Sequence, residues 1–339
     1  MSDAPDFEKV RLGSVGLGWW GGVLADGAAA GNEATIESCF ARTPETRQKF
    51  AEARGVREAA SFEEMLADDE IEGILLATSH ESHATLIEAA AAAGKHIFVE
   101  KPFTLSVEDG KRAIAAAESA GVVLQVGHNK RRQPANRRLK QMIEGGELGS
   151  VVMVETHQNA PNAMKFAGEY WRASRDESPL GSMTSLGVHM LDTMHYLLGP
   201  VDRVFAFSRS GVVPDAPPID HVTSIVLQFA SGQQGYLGTS FVVPPTINVT
   251  VRGTDGTAFN EEDGTKMYWQ SPSNGLPRES LEIEVLDTIA DEVSEFARAI
   301  RGGPAPETGG AEGLEVICVL NAAIASVESG KAESVSDFR

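Results

Sequence analysis

VRLGSVGLGWWG, residues 10–21, decides how this chain is read. Its first half is a short apolar run of strand type. Its second half is G-x-G-x-x-G, with Gly16, Gly18 and Gly21 at the point where a helix should begin. Each glycine has its own physical task. The first permits a tight turn, and the second lets backbone approach a pyrophosphate. The third lets the helix pack closely on the strand, so that its N-terminus faces the phosphates. In a chain with 34 glycines the pattern is weak alone, and a glycine-rich turn without a ligand explains it equally well.

The segments that follow separate the two readings. ATIESCFA (34–41) is strand-like, and Thr43 with Pro44 opens a helix that Gly55 stops after Arg54. Ser61-Phe62-Glu63-Glu64 is a capping box for a short helix. IEGILLA (71–77) is a continuous apolar run, the mark of a strand buried on both faces of a parallel sheet. HATLIEAAAAAG (83–94) predicts a helix closed by Gly94. HIFVE (96–100) predicts a strand, and a further helix leads to VVLQVG (122–127). Strand and helix alternate six times at βαβ spacing, which predicts a doubly wound parallel sheet. The glycine run occupies its first βα turn, where a dinucleotide binds. Gly16, Gly18, Trp19, Trp20 and Gly21 are its expected cofactor contacts.

The end of the second strand selects the dinucleotide. An acid there accepts hydrogen bonds from the ribose of NAD, whereas an arginine accommodates the phosphate of NADP. The chain reads Ser38-Cys39-Phe40-Ala41-Arg42-Thr43, with Ala41 at the acid's place and Glu37 too early, inside the strand. Arg42 and Thr43 are therefore expected cofactor contacts. NADP is the expected cofactor and NAD the alternative; the bland reading of Arg42 is an ordinary loop arginine.

Composition bounds the rest. A chain of 339 residues exceeds one ordinary core, and 42% hydrophobic with 23% charged residues is the balance of a soluble globular protein. No unbroken apolar run reaches about 18 residues, and the N-terminus lacks a signal-peptide layout, so no membrane association is expected. Cys39 and Cys318 lie far apart within apolar runs and read as reduced core residues of a cytoplasmic protein. A net charge of −19 argues against a nucleic-acid or anionic-membrane partner.

Glu100-Lys101-Pro102 ends the fifth strand, at the sheet edge where open α/β folds bind ligands. With AGKHIFVEKP (93–102), ATSHESH (77–83), VGHNKRR (126–132), GELG (146–149), PLGSMTSLGVHMLDTMHYLLG (179–199) and GLEVICVLNAAIASVESG (313–330), the chain resembles the glucose–fructose oxidoreductase/inositol dehydrogenase/MocA family over nearly its whole length. The resemblance implies an α/β protein with an N-terminal Rossmann domain and a C-terminal α+β domain containing a large, mostly antiparallel sheet. That sheet is expected to support a homodimer or homotetramer. The resemblance also implies reversible hydride transfer between a nicotinamide and a secondary alcohol. The substrate would be a small sugar, sugar acid, cyclitol or dihydrodiol. The residues agree about the second half. VVMVETHQ (151–158), RVFAFSR (203–209), TSIVLQFA (223–230), GYLGTSFVV (235–243) and INVTVRG (247–253) are strand-like, and no helix separates most of them, which suggests antiparallel connections. Residues 1–128 are thus the expected dinucleotide-binding domain and 129–339 the substrate-binding and oligomerisation domain. The terminal helix, 311–328, is expected to pack back near the first domain.

The resemblance makes Lys101 the lysine that contacts the reacting oxygen, with Glu100, Thr78 and His83 expected beside the cofactor. Its bland reading is a lysine paired with Glu100. His189 matches the family's acid/base histidine in the pattern Asp-x-Gly-x-His, but Ser185 stands at the aspartate position. Three consequences stay open: His189 is a weaker base, Lys101 carries the proton alone, or Ser185 relays it. His189, Asp192 and His195 recur every third residue, each step rotating back by about 60°, which spreads them too widely for a tight metal site. No metal is expected. Asp192 should hydrogen-bond locally or cap nearby backbone, and His195 reads as structural. Asn129, Arg131 and Arg172, with Asp192, are substrate-binding candidates. Convergence of Arg131, Arg132 and Arg172 would favour an anionic substrate, while pairing with surface acids is the bland alternative. A sensor that binds the dinucleotide without chemistry is the rival function. Ser185 feeds that reading, and joint retention of Lys101 and His189 opposes it.

Overall fold

The computed structural model describes residues 8–166, 170–272 and 277–339. In chain order the first elements are β1 (Val10–Val15), α1 (Trp19–Gly31), β2 (Ala34–Phe40), α2 (Pro44–Arg54), β3 (Arg57–Glu58), α3 (Phe62–Leu66), β4 (Gly73–Leu76), α4 (His83–Ala92), β5 (His96–Val99), α5 (Val107–Ala120) and β6 (Leu124–Val126). Then come α6 (Pro134–Glu144), β7 (Val151–Asn159), α7 (Val188–Leu198), β8 (Val201–Ser210), β9 (Asp220–Phe229), β10 (Gln234–Ser240), β11 (Thr246–Gly253), β12 (Thr257–Glu261) and β13 (Lys266–Gln270). The last are β14 (Glu279–Leu281), α8 (Thr288–Ile300), α9 (Gly310–Ser329) and β15 (Glu333–Ser334).

The chain forms two compact units. The first runs to Gly127 and takes in Asp287–Leu314; the second comprises His128–Leu286 and Glu315–Arg339. The split places α8, expected within 129–339, with the first unit; the start of α9 falls there too, and the boundary comes after Gly127. Packing is the reason. Leu24 and Ala28 of α1 share a core with Val293, Phe296 and Ala297 of α8. Gly27 permits the close approach, since a Cβ there would stand 2.6 Å from Ile289 Cγ2.

In the first unit six parallel strands lie in the order β3-β2-β1-β4-β5-β6. This is the doubly wound sheet expected from the continuous apolar runs, and the order reverses between β1 and β4. The capping box holds, with Ser61 Oγ accepting from Glu64 N–H. Burial, and then the carboxylate of Glu58, pushes the Cys39 thiol up to about 11, so it remains an inert thiol.

A pH-dependent contact lies at the start of β5. His96 Nδ1 accepts from Val123 N–H at 2.9 Å, so the ring must be neutral to make the bond. Burial lowers its pKa, opposed by Glu72 and helped by Arg301. The folded state therefore binds fewer protons than the unfolded state below pH 6.5. Its contribution is complete above that pH and is lost as pH falls through the folded value. The urea midpoint should fall between about pH 7 and pH 5, and His96→Gln should flatten that slope. Parallel profiles for the two proteins would dismiss the assignment.

The second unit is built on nine strands in the order β14-β13-β12-β11-β7-β10-β9-β8-β15. All pairs are antiparallel except β7 with β10, which run parallel. The sheet is thus mostly antiparallel, as expected, with this one parallel pair among the described strands. The crossover through α7 lets β8 run in the direction of β7, and two reversals then bring β10 alongside β7 in the same sense. The strands β12 to β15 were not expected; they are short, and two lack any apolar alternation. One sheet face packs on α7, with Thr156 Oγ1 3.6 Å from Met194 Sδ. The helix α9 is long and apolar enough to cross a membrane. Within its second-unit portion Ile317, Leu320 and Ala323 are buried, so it reads as a core helix.

Candidate active site

The three glycines of the opening turn divide their tasks as the sequence implied. Gly16 adopts φ +87°, and a Cβ on it would sit 2.4 Å from Ala77 O and 2.9 Å from Thr78 N. A Cβ on Gly21 would collide with Gly16 O at 2.1 Å, whereas one on Gly18 would meet nothing within 4 Å. The backbone at Gly18 is thus open to a ligand while its neighbours are closed by protein. Gly18 is also the N-cap of α1, with no side-chain cap and no acid in the first turn. The first N–H groups of a 13-residue helix therefore face the position expected for a pyrophosphate.

Beside this turn, β5 delivers Glu100 and Lys101. Lys101 is 8% exposed, its N–H lies 3.3 Å from Glu100 Oε2, and the Lys101–Pro102 bond is cis. The ammonium lies 5.5 Å from the centre of the Trp20 ring. A cation over an indole face is attracted by the ring quadrupole, so Trp20 helps to orient the Lys101 side chain. His83, fully buried at the start of α4, donates from Nδ1 to Pro102 O at 2.9 Å. That bond anchors the turn carrying Lys101. Thr78 is held by Ser82 Oγ at 2.8 Å. Trp19 is 75% exposed and packs edge-on against Trp20. At the end of β2, Arg42 is exposed and makes no ion pair among the described residues. Thr43 begins α2, its carbonyl accepting from Thr46 and Arg47 N–H.

The second unit carries the other candidates on α7 and the turn after β6. Ser185 lies in a π-helical turn, Met183–Gly187, that runs directly into α7. The bond from Val188 N–H back to Met183 O spans five residues, and such widened turns recur at functional sites. Leu180, in the reduced glycine triplet, takes φ 57°, a left-handed backbone costly for a branched residue. His189 is 3% exposed and meets the fully buried ring of His128 edge-to-face, with centroids 6.2 Å apart. His128 was not among the expected site residues. Its signal was its place directly after the sixth strand, in GHNKRR.

Asp192 behaves differently from the sequence expectation. Its partner is distant: Arg131 Nε donates to Oδ2 at 2.9 Å and Arg131 Nη2 to Oδ1 at 2.6 Å, both groups buried. The expectation of a local hydrogen bond or backbone cap is corrected, because the turn Asn129–Arg132 packs its guanidinium against α7. The same pair bears on the proposed arginine cluster. Arg131 has an internal counter-ion and also stacks over Tyr196, while Arg172 lies 3.9 Å over the Trp171 ring and donates to Tyr170 Oη. Asn129 is buried beside Arg131 in the turn. Among the described residues no cluster of His, Cys, Asp or Glu is arranged to hold a metal.

Comparison with known proteins covers both units. Residues 10–128 match the oxidoreductase family with an NAD-binding Rossmann fold, and residues 136–259 match the GFO/IDH/MocA C-terminal domain. The chain is 27% identical to inositol 2-dehydrogenase of Rhizobium meliloti, over 96% of this chain and 99% of that one. It is 29% identical to D-xylose 1-dehydrogenase (NADP(+)) 2 of Haloferax volcanii, covering 95% and 97%. A solved structure, a putative NADPH-dependent oxidoreductase from Desulfitobacterium hafniense, superposes with TM-score 0.92 at 29% identity, covering 98% and 99%. The glycine turn, the Glu100-Lys101-Pro102 corner and the nine-stranded sheet therefore have one explanation: the chain belongs to the glucose–fructose oxidoreductase/inositol dehydrogenase/MocA family of NAD-binding oxidoreductases.

Proposed function

We propose that this protein is an NADP-preferring dehydrogenase or reductase acting on a secondary alcohol or ketone of a small sugar, sugar acid, cyclitol or dihydrodiol. The observation that carries this reading is Lys101, held over Trp20 on a corner that His83 anchors, beside the glycine turn. A nicotinamide bound at that turn supplies or accepts the hydride. The chain's own residues manage the substrate oxygen. Lys101 donates a hydrogen bond to it and stabilises its developing negative charge. His189 is the second acid/base group, with Ser185 hydrogen-bonding in place of the family's aspartate. The names of relatives acting on inositol, apiose and xylose support the substrate class. A screen of polyols, sugar acids and dihydrodiols, following reduced nicotinamide absorbance with each cofactor, tests the reading. Turnover of a hydroxylated ring or chain is expected. Silence across the panel, with cofactor bound, would instead mark a sensor.

The cofactor preference rests on Ala41 in the acid's place and on the guanidinium of Arg42, exposed and without an ion pair among the described residues. Quenching of Trp19 and Trp20 fluorescence should report NADPH binding about tenfold or more tighter than NADH. Arg42→Ala should erase the difference. Equal or tighter binding of NADH would reverse the preference.

A homodimer or homotetramer in the cytoplasm completes the proposal. Phe207 and Val226, on the sheet face opposite α7, are 69% and 52% exposed, and Phe205 packs edge-on against Phe207. Apolar groups so placed on a sheet mark an association surface. Light scattering should give at least twice the chain mass, and Phe207→Asp should reduce it to one chain. A wild-type protein of single-chain mass would refute the surface's role.

A further inference from the structure

Gln158 is the third inward residue of β7, after Val154 and Thr156. Thr156 meets Met194 on α7, so this alternating face of β7 looks at that helix. Two residues further along, Gln158 lies nearer the start of α7. It stands opposite Thr239 in the parallel ladder with β10. Thr239 in turn places its Oγ1 2.9 Å from Ser182 Oγ, and a Cβ on Gly187 would meet Thr239 Cγ2 at 3.0 Å. Gln158 therefore borders the π-helical turn that carries Ser185 and leads to His189.

Its residue is only 5% exposed, and its amide oxygen is buried without a hydrogen-bond partner among the described residues. A buried acceptor left unmet keeps its full desolvation penalty, and native proteins rarely tolerate one without a use. An apolar residue would fill the position without that penalty, as Val154 does on the same face. We infer that Gln158 binds a hydroxyl group of the substrate, an inference that rests on the oxidoreductase reading above. The chemistry selects the ligand class. An amide oxygen needs a donor, which a hydroxyl provides and an ionised carboxylate or phosphate does not. The hydroxyls of Ser182 and Thr239 are bonded to each other, and the charge of Arg131 is already balanced by Asp192. The binding surface of the second unit therefore suits a neutral, multiply hydroxylated substrate over its acid counterpart.

Gln158→Met keeps the length and removes both hydrogen-bonding atoms. With the polyol turned over best in the screen, KM should rise about tenfold while kcat stays within about threefold. NADPH affinity should be unchanged, and the ligand-free melting temperature equal or higher, because the unmet acceptor is gone. A KM within about twofold of wild type overturns the inference. So does a lowered melting temperature with KM and NADPH affinity worsening together, which is the signature of a structural role. If wild type turns over nothing, the melting temperature of the NADPH-loaded protein is read with myo-inositol and with D-xylose. Stabilisation of wild type but not of the variant upholds Gln158 while the oxidoreductase reading falls. Equal shifts in both proteins, or none in wild type, overturn Gln158 as well.

Discussion

Lys101→Ala should lower kcat roughly a thousandfold, the scale at which a positioned proton-handling group contributes. The dissociation constant for NADPH should barely change. The two effects separate because different parts of the first unit produce them. On the proposed reading the phosphates are met by the open backbone at Gly18 and the N-terminus of α1, whereas Lys101 stands on the next corner, with its ammonium 5.5 Å from the centre of the Trp20 ring. Turnover is read from nicotinamide absorbance and affinity from tryptophan fluorescence. If most of kcat survives, Lys101 has no place in the chemistry. If NADPH affinity collapses with kcat, its role is in cofactor binding.

Arg131→Ala should destabilise the second unit by about 3–5 kcal/mol, because it leaves the carboxylate of Asp192 buried and alone. Its melting transition should fall on the order of 10 °C. Both partners are almost wholly buried and joined by two hydrogen bonds, so solvent cannot replace the lost guanidinium. The double replacement Arg131→Met with Asp192→Leu should recover most of the loss, since it removes both charges and keeps the volume. A single variant melting within about two degrees of wild type would show that the pair is not structural.

The first unit was legible because its signals are local. Apolar runs such as Ile71–Ala77, helices closed by glycine and a glycine turn at one junction specify βαβ units almost residue by residue. The handedness and short connections of such units leave little freedom in strand order. Lys101 was legible for the same reason: it ends a strand of that sheet. The second unit was only partly legible. Five of its strands alternate visibly, but β12 and β13 are five residues each and β14 and β15 shorter, too brief for a period of two to stand out. Asp192 was placed on its helix correctly and given the wrong partner, since Arg131 is 61 residues away. Gln158 carried no local signal that set it apart from a strand glutamine, and His128 only its place after the sixth strand.

By itself the sequence determined the doubly wound sheet, the place of the dinucleotide turn and the corner that presents Lys101. These follow from hydrophobic periodicity and from glycines at positions where a side chain would collide. Only the tertiary structure decided that α8 packs on α1, that β7 and β10 run parallel, that Asp192 is spent on Arg131 and that Gln158 faces α7 with an unmet oxygen. Each of these depends on residues far apart in the chain meeting once the sheet has assembled. Periodicity records which face of a segment is buried; it does not record what that face is buried against.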